Sequence, residues 1–540
     1  MKPLDNVIND AKKWLYNHKT GSAWIFPVIS ECPVSTALSL YVVDDETKSK
    51  AIEYLMNIKV WEKNLFAAGV FFCALKKSGN LHLAEKVLNH CKNEIGKKKA
   101  PDKKSRVLHH QVTHKRIEGL LEELKVVFPL DIPEKEISKI PIYSILFKHT
   151  PARFWFKRTS YFHDFFPFIA PMLITNEDKD IKTNQKVINV LKKALNEDGS
   201  YGGITAPTIL SIYLLQKFGE VDYAKKSLKW LEKVRNENGS FRPLYCQDVY
   251  DTAWVSLALS TLGEDVDDAL QWLDSKKVDD GYPYVSSSYF PDPDDTSLVL
   301  LTKKNLNCMD TEDYKALDFL IKSQNPDGGW SYNTVYRGII AITLKMLAII
   351  VNVIGFLFTK NRRGYGFLAS YHPPRNYMST IDMTARVLIT LAHFKENEKV
   401  RNAIDRGIKY LLKHYSNGRF VAPHRWTFSD IYENSMALIA LYKNGIKNEK
   451  TKNAMHWILN QKIEFAEDAA HVLWALVEGD HEKELADYFA DIIASKQLPD
   501  GSWKHNVGFF LGSAKYYSLF SIASPLYALA LYKNKFCVDN

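Results

Sequence analysis

One unit recurs along the 540-residue chain and limits its fold more than any other feature. A helical stretch ends in a polar turn containing glycine, and an aromatic residue follows at once. LDFLIKSQNPDGGW, ending at Trp330, and ADIIASKQLPDGSW, ending at Trp503, are its clearest forms. Weaker copies end at Tyr201, Phe241, Tyr282 and Phe420, and an N-terminal copy ends at Trp24. A degenerate copy near Phe465 has lost its glycine. Asn or Asp before Gly stops a helix and permits a tight turn, after which the aromatic can fold back over the helix end. Apolar-periodic helices such as TAWVSLALSTLG lie between the copies. Helix pairs repeated in this way specify an all-α chain, wound as an α/α barrel or a solenoid. Strand signals are scarce.

Composition removes several classes. With 46% hydrophobic and 25% charged residues the chain is neither disordered nor fibrous. A formal charge of +9 over this length does not call for nucleic acid. Cys32, Cys73, Cys91, Cys246, Cys308 and Cys537 form no CxxC pair, which argues against a disulfide framework or a structural zinc. The opening MKPLDNVINDAKKWLYNH reads as an amphipathic helix without the apolar stretch of a signal peptide, so a cytoplasmic setting is expected. The aromatic share stands out, with 12 Trp, 28 Tyr and 28 Phe.

Two stretches break the repeat. Residues 92–116 are a basic run with Gly and Pro inside it, read as a solvated loop in competition with a phosphate or anionic-lipid contact. Residues 338–359 contain the apolar run IIAITLKMLAIIVNVIGFLF, long enough to span a bilayer. Lys345, Asn352 and Thr359 recur every seven residues and share one helical face. A helix lying in the membrane plane with its apolar face in one leaflet fits that stripe better than a span. A buried core helix is the competing reading.

The chemistry concentrates in YFPDPDDT at 289–296, which leads into the helical SLVLLTKK. Asp292 is a natural N-cap and Pro293 suits the first helical position, which puts Asp294 and Asp295 in the first turn. Acidic residues at a helix start complement its dipole, and that alone is a sufficient structural reason for them. Three carboxylates in four positions beside aromatic rings also allow one proton to be retained at neutral pH. Such a proton is a candidate general acid. Magnesium for a diphosphate, or a glycosidase carboxylate pair, are the alternatives at this point.

This element, an Asp-x-Asp-Asp-Thr run after an aromatic pair and a Pro, resembles the signature of the class II terpene cyclases, most closely the squalene–hopene cyclases. The repeated Gln…Gly-x-Trp unit resembles a second hallmark of that family. QDVYDTAW at 247–254 is similar to its Trp-Asp-Thr segment. The segment from HPP at 372–374 to IDMTAR at 381–386 is similar to its Pro-Pro…Asp-x-Thr-Ala-His segment. The tail from Gly508 and Phe509 to Ser524, Pro525 and Leu526 resembles its last helix pair. The resemblance extends over nearly the whole chain and is weaker in the N-terminal half.

The resemblance implies a catalyst with two α/α barrels: an N-terminal helix at 1–20, an inserted barrel at 21–238 and a catalytic barrel at 239–540. It implies that Asp294 protonates a terminal alkene or epoxide of a polyprenoid, with Asp292 and Asp295 tuning the acid. Asp251 and Asp382 belong to the implied catalytic set. Arg386 stands where the family has a histidine; it cannot relay a proton, but its charge favours the carboxylate left behind. Tyr250, Tyr284, Tyr332, Trp426, Tyr432, Phe509, Tyr517 and Phe520 are implied to line the site, where aromatic faces stabilise carbocations. No cofactor is implied, with Mg2+ required only if the substrate carries a diphosphate; a DDxxD motif is absent, since Asp44-Asp45-Glu46 lacks its last aspartate. Ser513 in place of a family phenylalanine, and Asp164 near an expected tryptophan, draw the substrate away from squalene itself. The implied partners are a polyprenoid lipid and the inner face of a membrane, held monotopically through 338–359, with a homodimer among the open oligomeric states. A protein prenyltransferase β-subunit, a helical-repeat scaffold and an α/α-barrel glycosidase are the competing readings.

Overall fold

The computed structural model describes residues 2–63, 65–97, 181–288, 290–331, 379–421, 429–504 and 516–537. Among them helices supply nearly all regular structure, as the repeat requires. Among the described residues sheet is confined to two antiparallel pairs of two-residue strands, Ile29–Ser30 with Tyr516–Tyr517 and Tyr415–Ser416 with Arg419–Phe420. The second pair turns at Asn417 and Gly418, both at positive φ, the residues that suit a two-residue hairpin. The repeat copy ending at Phe420 is therefore a hairpin after a helix.

Six described helices close a ring. Asp248–Thr261 packs on Pro293–Asn305, and that helix on Ile381–Leu391. Asp430–Lys443, Ala466–Glu478 and Phe520–Phe536 follow, and the last returns to the first. These helices are buried on nearly every side, which is why four of them, Asp248–Thr261, Pro293–Asn305, Asp430–Lys443 and Phe520–Phe536, show little amphipathic period. Outside them lie Leu4–Asn17, Asp267–Asp274, Thr311–Lys322, Glu398–Lys413, Glu449–Leu459 and Lys483–Ser495. Each outer helix buries a single stripe; in Glu398–Lys413 it is Val400, Ala403, Ile404, Gly407, Tyr410 and Leu411. One hydrophobic core joins both sets and takes in Val7, Trp14 and Trp24 from the N-terminal end. Residues between 37 and 241 build two further cores.

The repeated turn holds neighbouring helix pairs together. The Trp330 indole N–H donates to the Leu320 carbonyl at 2.8 Å, and Trp503 does the same to Ile493 at 2.8 Å. The Gln324 amide donates to Gly328 and to Ala403 of the next outer helix, both at 2.8 Å. The Gln497 amide likewise reaches Val7 of the N-terminal helix at 2.8 Å. The backbone N–H of three of these aromatics donates to a threonine on a ring helix: Trp24 to Thr252 at 3.0 Å, Tyr282 to Thr296 at 2.9 Å and Trp330 to Thr384 at 2.9 Å. Those threonines are the ones in the Asp-Thr motifs of the sequence, so the repeat and the motifs form one construction. The Gly501 turn seats directly on the N-terminal helix, closing the outer layer between distant parts of the chain.

Gly501 has φ +90°, and a Cβ there would lie 2.4 Å from the Asp10 carbonyl oxygen. Gly263 has φ +80° with nothing within 4 Å of the same position. Left-handed backbone alone costs an alanine about 1–2 kcal/mol. Gly263→Ala is thus expected to lose about that much stability in urea denaturation followed by circular dichroism. Gly501→Ala should lose clearly more, because the N-terminal helix must also shift.

No helix among the described residues is long and apolar enough to cross a membrane. The apolar segment at 338–359 and most of the basic run lie outside the described residues.

Candidate active site

The opening turns of the ring helices meet at one end of the ring. Asp292 has the extended backbone of an N-cap, and its Oδ1 accepts the N–H groups of Asp294 at 2.7 Å and Asp295 at 3.3 Å. Its own N–H donates to the Tyr282 carbonyl at 2.9 Å. Thr296 accepts from the Tyr282 N–H, so the repeat aromatic grips the acidic turn from both ends. The three carboxylates are 6%, 5% and 1% exposed for Asp292, Asp294 and Asp295.

Among the described residues, one cation faces them. Arg386, in the second turn of the Ile381–Leu391 helix, is 4% exposed and places Nη1 2.7 Å from Asp294 Oδ1. The same nitrogen donates to the Tyr250 hydroxyl at 2.9 Å, and Nη2 donates to the Tyr432 hydroxyl. Its guanidinium carbon lies 5.7 Å from the Tyr250 ring and 5.5 Å from the Trp254 ring. Phe520 packs 6.0 Å from Tyr250, 6.4 Å from Tyr432 and 5.1 Å from Trp254. The acidic cluster therefore sits beside a wall of aromatic rings.

Removal from water dominates the proton affinities here. Burial, then the Asp294 charge, pushes Asp292 up to about 8. Burial pushes Asp294 up only to about 6, because Arg386 favours its ionised form, while Asp382 opposes that. Asp295 is held well above the usual carboxylate range by burial and by the charges of Asp292 and Asp294. The cluster keeps protons at neutral pH, and Asp294 is its most acidic member. Asp251 is also driven up to about 8 by burial, although the Ser518 hydroxyl and the N–H groups of Leu519 and Phe520 favour its carboxylate. It lies where the last ring helix begins.

Of the residues singled out in the sequence, Asp292, Asp294, Asp295, Arg386, Tyr250, Tyr432 and Phe520 come together, and Asp382 is near enough to act on Asp294. The Tyr284 carbonyl accepts from the Tyr250 N–H at 3.4 Å, while its hydroxyl donates to the Gly202 carbonyl and its ring meets Phe290 at 6.2 Å. Tyr517 pairs with Ile29 and meets Phe26 and Trp14 at 5.9 and 6.5 Å. Tyr332, Trp426 and Phe509 lie outside the described residues, as does Tyr289 of the acidic motif. Two neighbours escaped sequence reasoning. Trp254 follows the Asp-Thr motif and reads as core, and His471 is a single histidine in the aliphatic run AAHVLWAL.

Comparison with known proteins agrees with the ring. The prenyltransferase alpha-alpha toroid domain matches residues 146–289 and 295–469, more than half of the chain. The chain belongs to the prenyltransferase alpha-alpha toroid family. Asp292 and Asp294 of this toroid lie in the short interval between the two matched segments. Abietadiene synthase from Abies grandis is similar in structure, with a TM-score of 0.50 and 13% identity over 99% of this chain and 58% of that one. ent-Copalyl diphosphate synthase from Arabidopsis thaliana gives 0.39 and 12% over 99% of this chain and 98% of that one. The type II terpene cyclase MstE from Scytonema gives 0.38 and 16% over 54% of this chain and 89% of that one. The likeness to abietadiene synthase, at such low identity, is one of fold. No curated protein matches the chain.

A buried carboxyl with a raised affinity for protons links folding to pH. Asp292 binds its proton up to about pH 8 in the native toroid, against 3.8 ordinarily. Unfolding releases that proton between these values, so stability falls as pH rises through the window. Asp292→Asn keeps a capping oxygen and removes the ionisation. The loss of stability between pH 5 and pH 8, measured by urea denaturation, should be smaller in Asp292→Asn than in the wild type.

Proposed function

We propose that this toroid is a class II terpene cyclase, which starts cyclisation of a linear polyprenoid by protonating it. The observation that carries this reading is the buried trio of carboxylates, with Asp294 paired to Arg386 beside aromatic rings. Protonating an alkene creates a tertiary carbocation from a weak base, and this needs a strong acid and the exclusion of water. Asp294 suits that task because Arg386 stabilises its carboxylate once the proton has left. Asp292 and Asp295 hold their protons more firmly, so they stay neutral and do not oppose the charge left on Asp294. Tyr250, Tyr432, Trp254 and Phe520 offer ring faces to a cation without a strong nucleophile, an interaction worth roughly 2 kcal/mol each when desolvated.

Initiation by protonation asks for no cofactor, and magnesium enters only with a diphosphate-bearing substrate. Asp251 and Asp382 are assigned to the support of the acidic cluster. The proposed division keeps the N-terminal helix with the catalytic barrel at 239–540 and the inserted barrel at 21–238, in line with the separate hydrophobic cores. The apolar segment at 338–359 is proposed to bring a water-insoluble substrate in from a membrane surface. Its seven-residue polar stripe supports that reading, and full release of the protein from membranes by a low-salt wash would overturn it.

The decisive assay compares wild type with Asp294→Asn in detergent, with and without magnesium, on squalene and on farnesyl and geranylgeranyl diphosphates. The wild type is expected to give a cyclic isomer or hydrate by mass spectrometry. The variant should be slower by roughly 1,000-fold, the range of a lost general acid. Equal product from both proteins would remove Asp294 from this role.

A further inference from the structure

His471 occupies the second turn of the Ala466–Glu478 ring helix, the same level at which Arg386 stands on the Ile381–Leu391 helix. It is 2% exposed. Its Nδ1 lies 2.6 Å from the Glu467 carbonyl oxygen. A carbonyl only accepts, so Nδ1 carries the hydrogen and Nε2 is left with a lone pair. That Nε2 has no hydrogen-bond partner among the described residues. Several buried polar atoms among the described residues lack a protein partner, and this one stands apart because it lies among the rings beside the acidic cluster.

The surroundings tie this lone pair to the acidic cluster. The imidazole meets the Tyr432 ring edge-on at 4.7 Å and the Phe520 ring at 5.7 Å. Tyr432 in turn accepts from Arg386, and Arg386 faces Asp294. The Arg386–Tyr432 pair thus links the proton donor to the imidazole, which do not touch each other. Burial pushes the imidazole down to about 4, against the opposing pull of the Glu467 carbonyl and carboxylate and with a smaller push from Arg386, so it is neutral at physiological pH.

We infer that His471 Nε2 is the base that ends the reaction by taking a proton from the final carbocation, an inference that rests on the cyclase reading above. In this step a C–H bond beside the cationic carbon breaks and its electron pair becomes a new C=C bond. The proton passes to Nε2, and the imidazolium keeps its Nδ1–H bond to the Glu467 carbonyl. Asp294 has donated one proton and His471 has accepted one, so substrate and product are isomers and no co-reactant is needed. Burial makes the imidazolium a strong acid, which returns its proton to water when the product leaves. Asp294 regains one from the same source. Separating donor from acceptor has a chemical purpose. A base at the donor itself would reverse the first step and regenerate the substrate.

The test is the position of the double bond. Wild type, His471→Gln and His471→Phe would be incubated with squalene and with farnesyl and geranylgeranyl diphosphates, and the products identified by mass spectrometry and NMR. Circular dichroism and melting temperature would confirm that each variant is folded, and two side chains of different size guard against the collapse of one. The wild-type alkene is expected to fall at least about 10-fold as a share of cyclic product in both variants, replaced by a hydrate or an isomeric alkene. A purely structural histidine would change yield without moving the double bond. Unchanged alkene position and share in both folded variants would overturn the assignment while leaving the cyclase reading intact. A hydroxylated wild-type product would also overturn it alone. Absence of any cyclic product from the wild type would overturn the cyclase reading and this inference with it.

Discussion

A carboxylate taken out of water must find compensation nearby or keep its proton, and that constraint organises the end of this ring. Asp292, Asp294 and Asp295 are buried within a single helical turn, where they repel one another once ionised. Backbone N–H groups at the helix start compensate part of the charge on Asp292. Arg386 compensates Asp294 from a neighbouring helix and is itself shared with two tyrosine hydroxyls. Among the described residues, one guanidinium faces three carboxylates, too little to ionise them all. The shortage leaves protons in the cluster and makes Asp294 the member most ready to release one.

The scaffold that holds this arrangement is built from a small stitch used many times. An aromatic residue after an Asx-Gly turn binds its own helix through a side chain and a threonine on a ring helix through its backbone. Tyr282 shows how close this stitch comes to the chemistry. Its carbonyl holds the Asp292 N–H, its own N–H is held by Thr296, and its hydroxyl binds Asp274 and Asp313. The cap of the acidic helix is therefore set by the repeat before it, and the stiffness of the barrel is passed directly to the carboxylates.

Much of this could be read in the chain order of residues. Asp292 as a cap and Pro293 as the first helical residue follow from local backbone chemistry, which a sequence displays directly. The all-α ring follows from the repeat, because a helix pair that cannot cover its own apolar face must stack on the next. Tyr284 and Tyr517 were harder. Both sit beside the right motifs, and the hydroxyl of one reaches Gly202 while the other pairs with Ile29. Adjacency in sequence does not determine which way a side chain faces in a loop. His471 was invisible for a related reason: a lone histidine in an aliphatic helix carries no signal until its neighbours across the ring are known.

What the sequence determined by itself was local and periodic: where helices start and stop, which turns need glycine, and which residues crowd one helical turn with charge. These depend on interactions between residues a few positions apart. Only the tertiary structure decided which charges meet. Arg386 reaches Asp294, Tyr250 and Tyr432 across separations of tens to more than a hundred residues, and the Gly501 turn lands on Asp10 near the other end of the chain. Such pairings have no local pattern, because closing the ring, rather than any segment in it, brings the partners together. The proton affinities follow from the same closure, since the desolvation that raises them exists only when all six helices are in place.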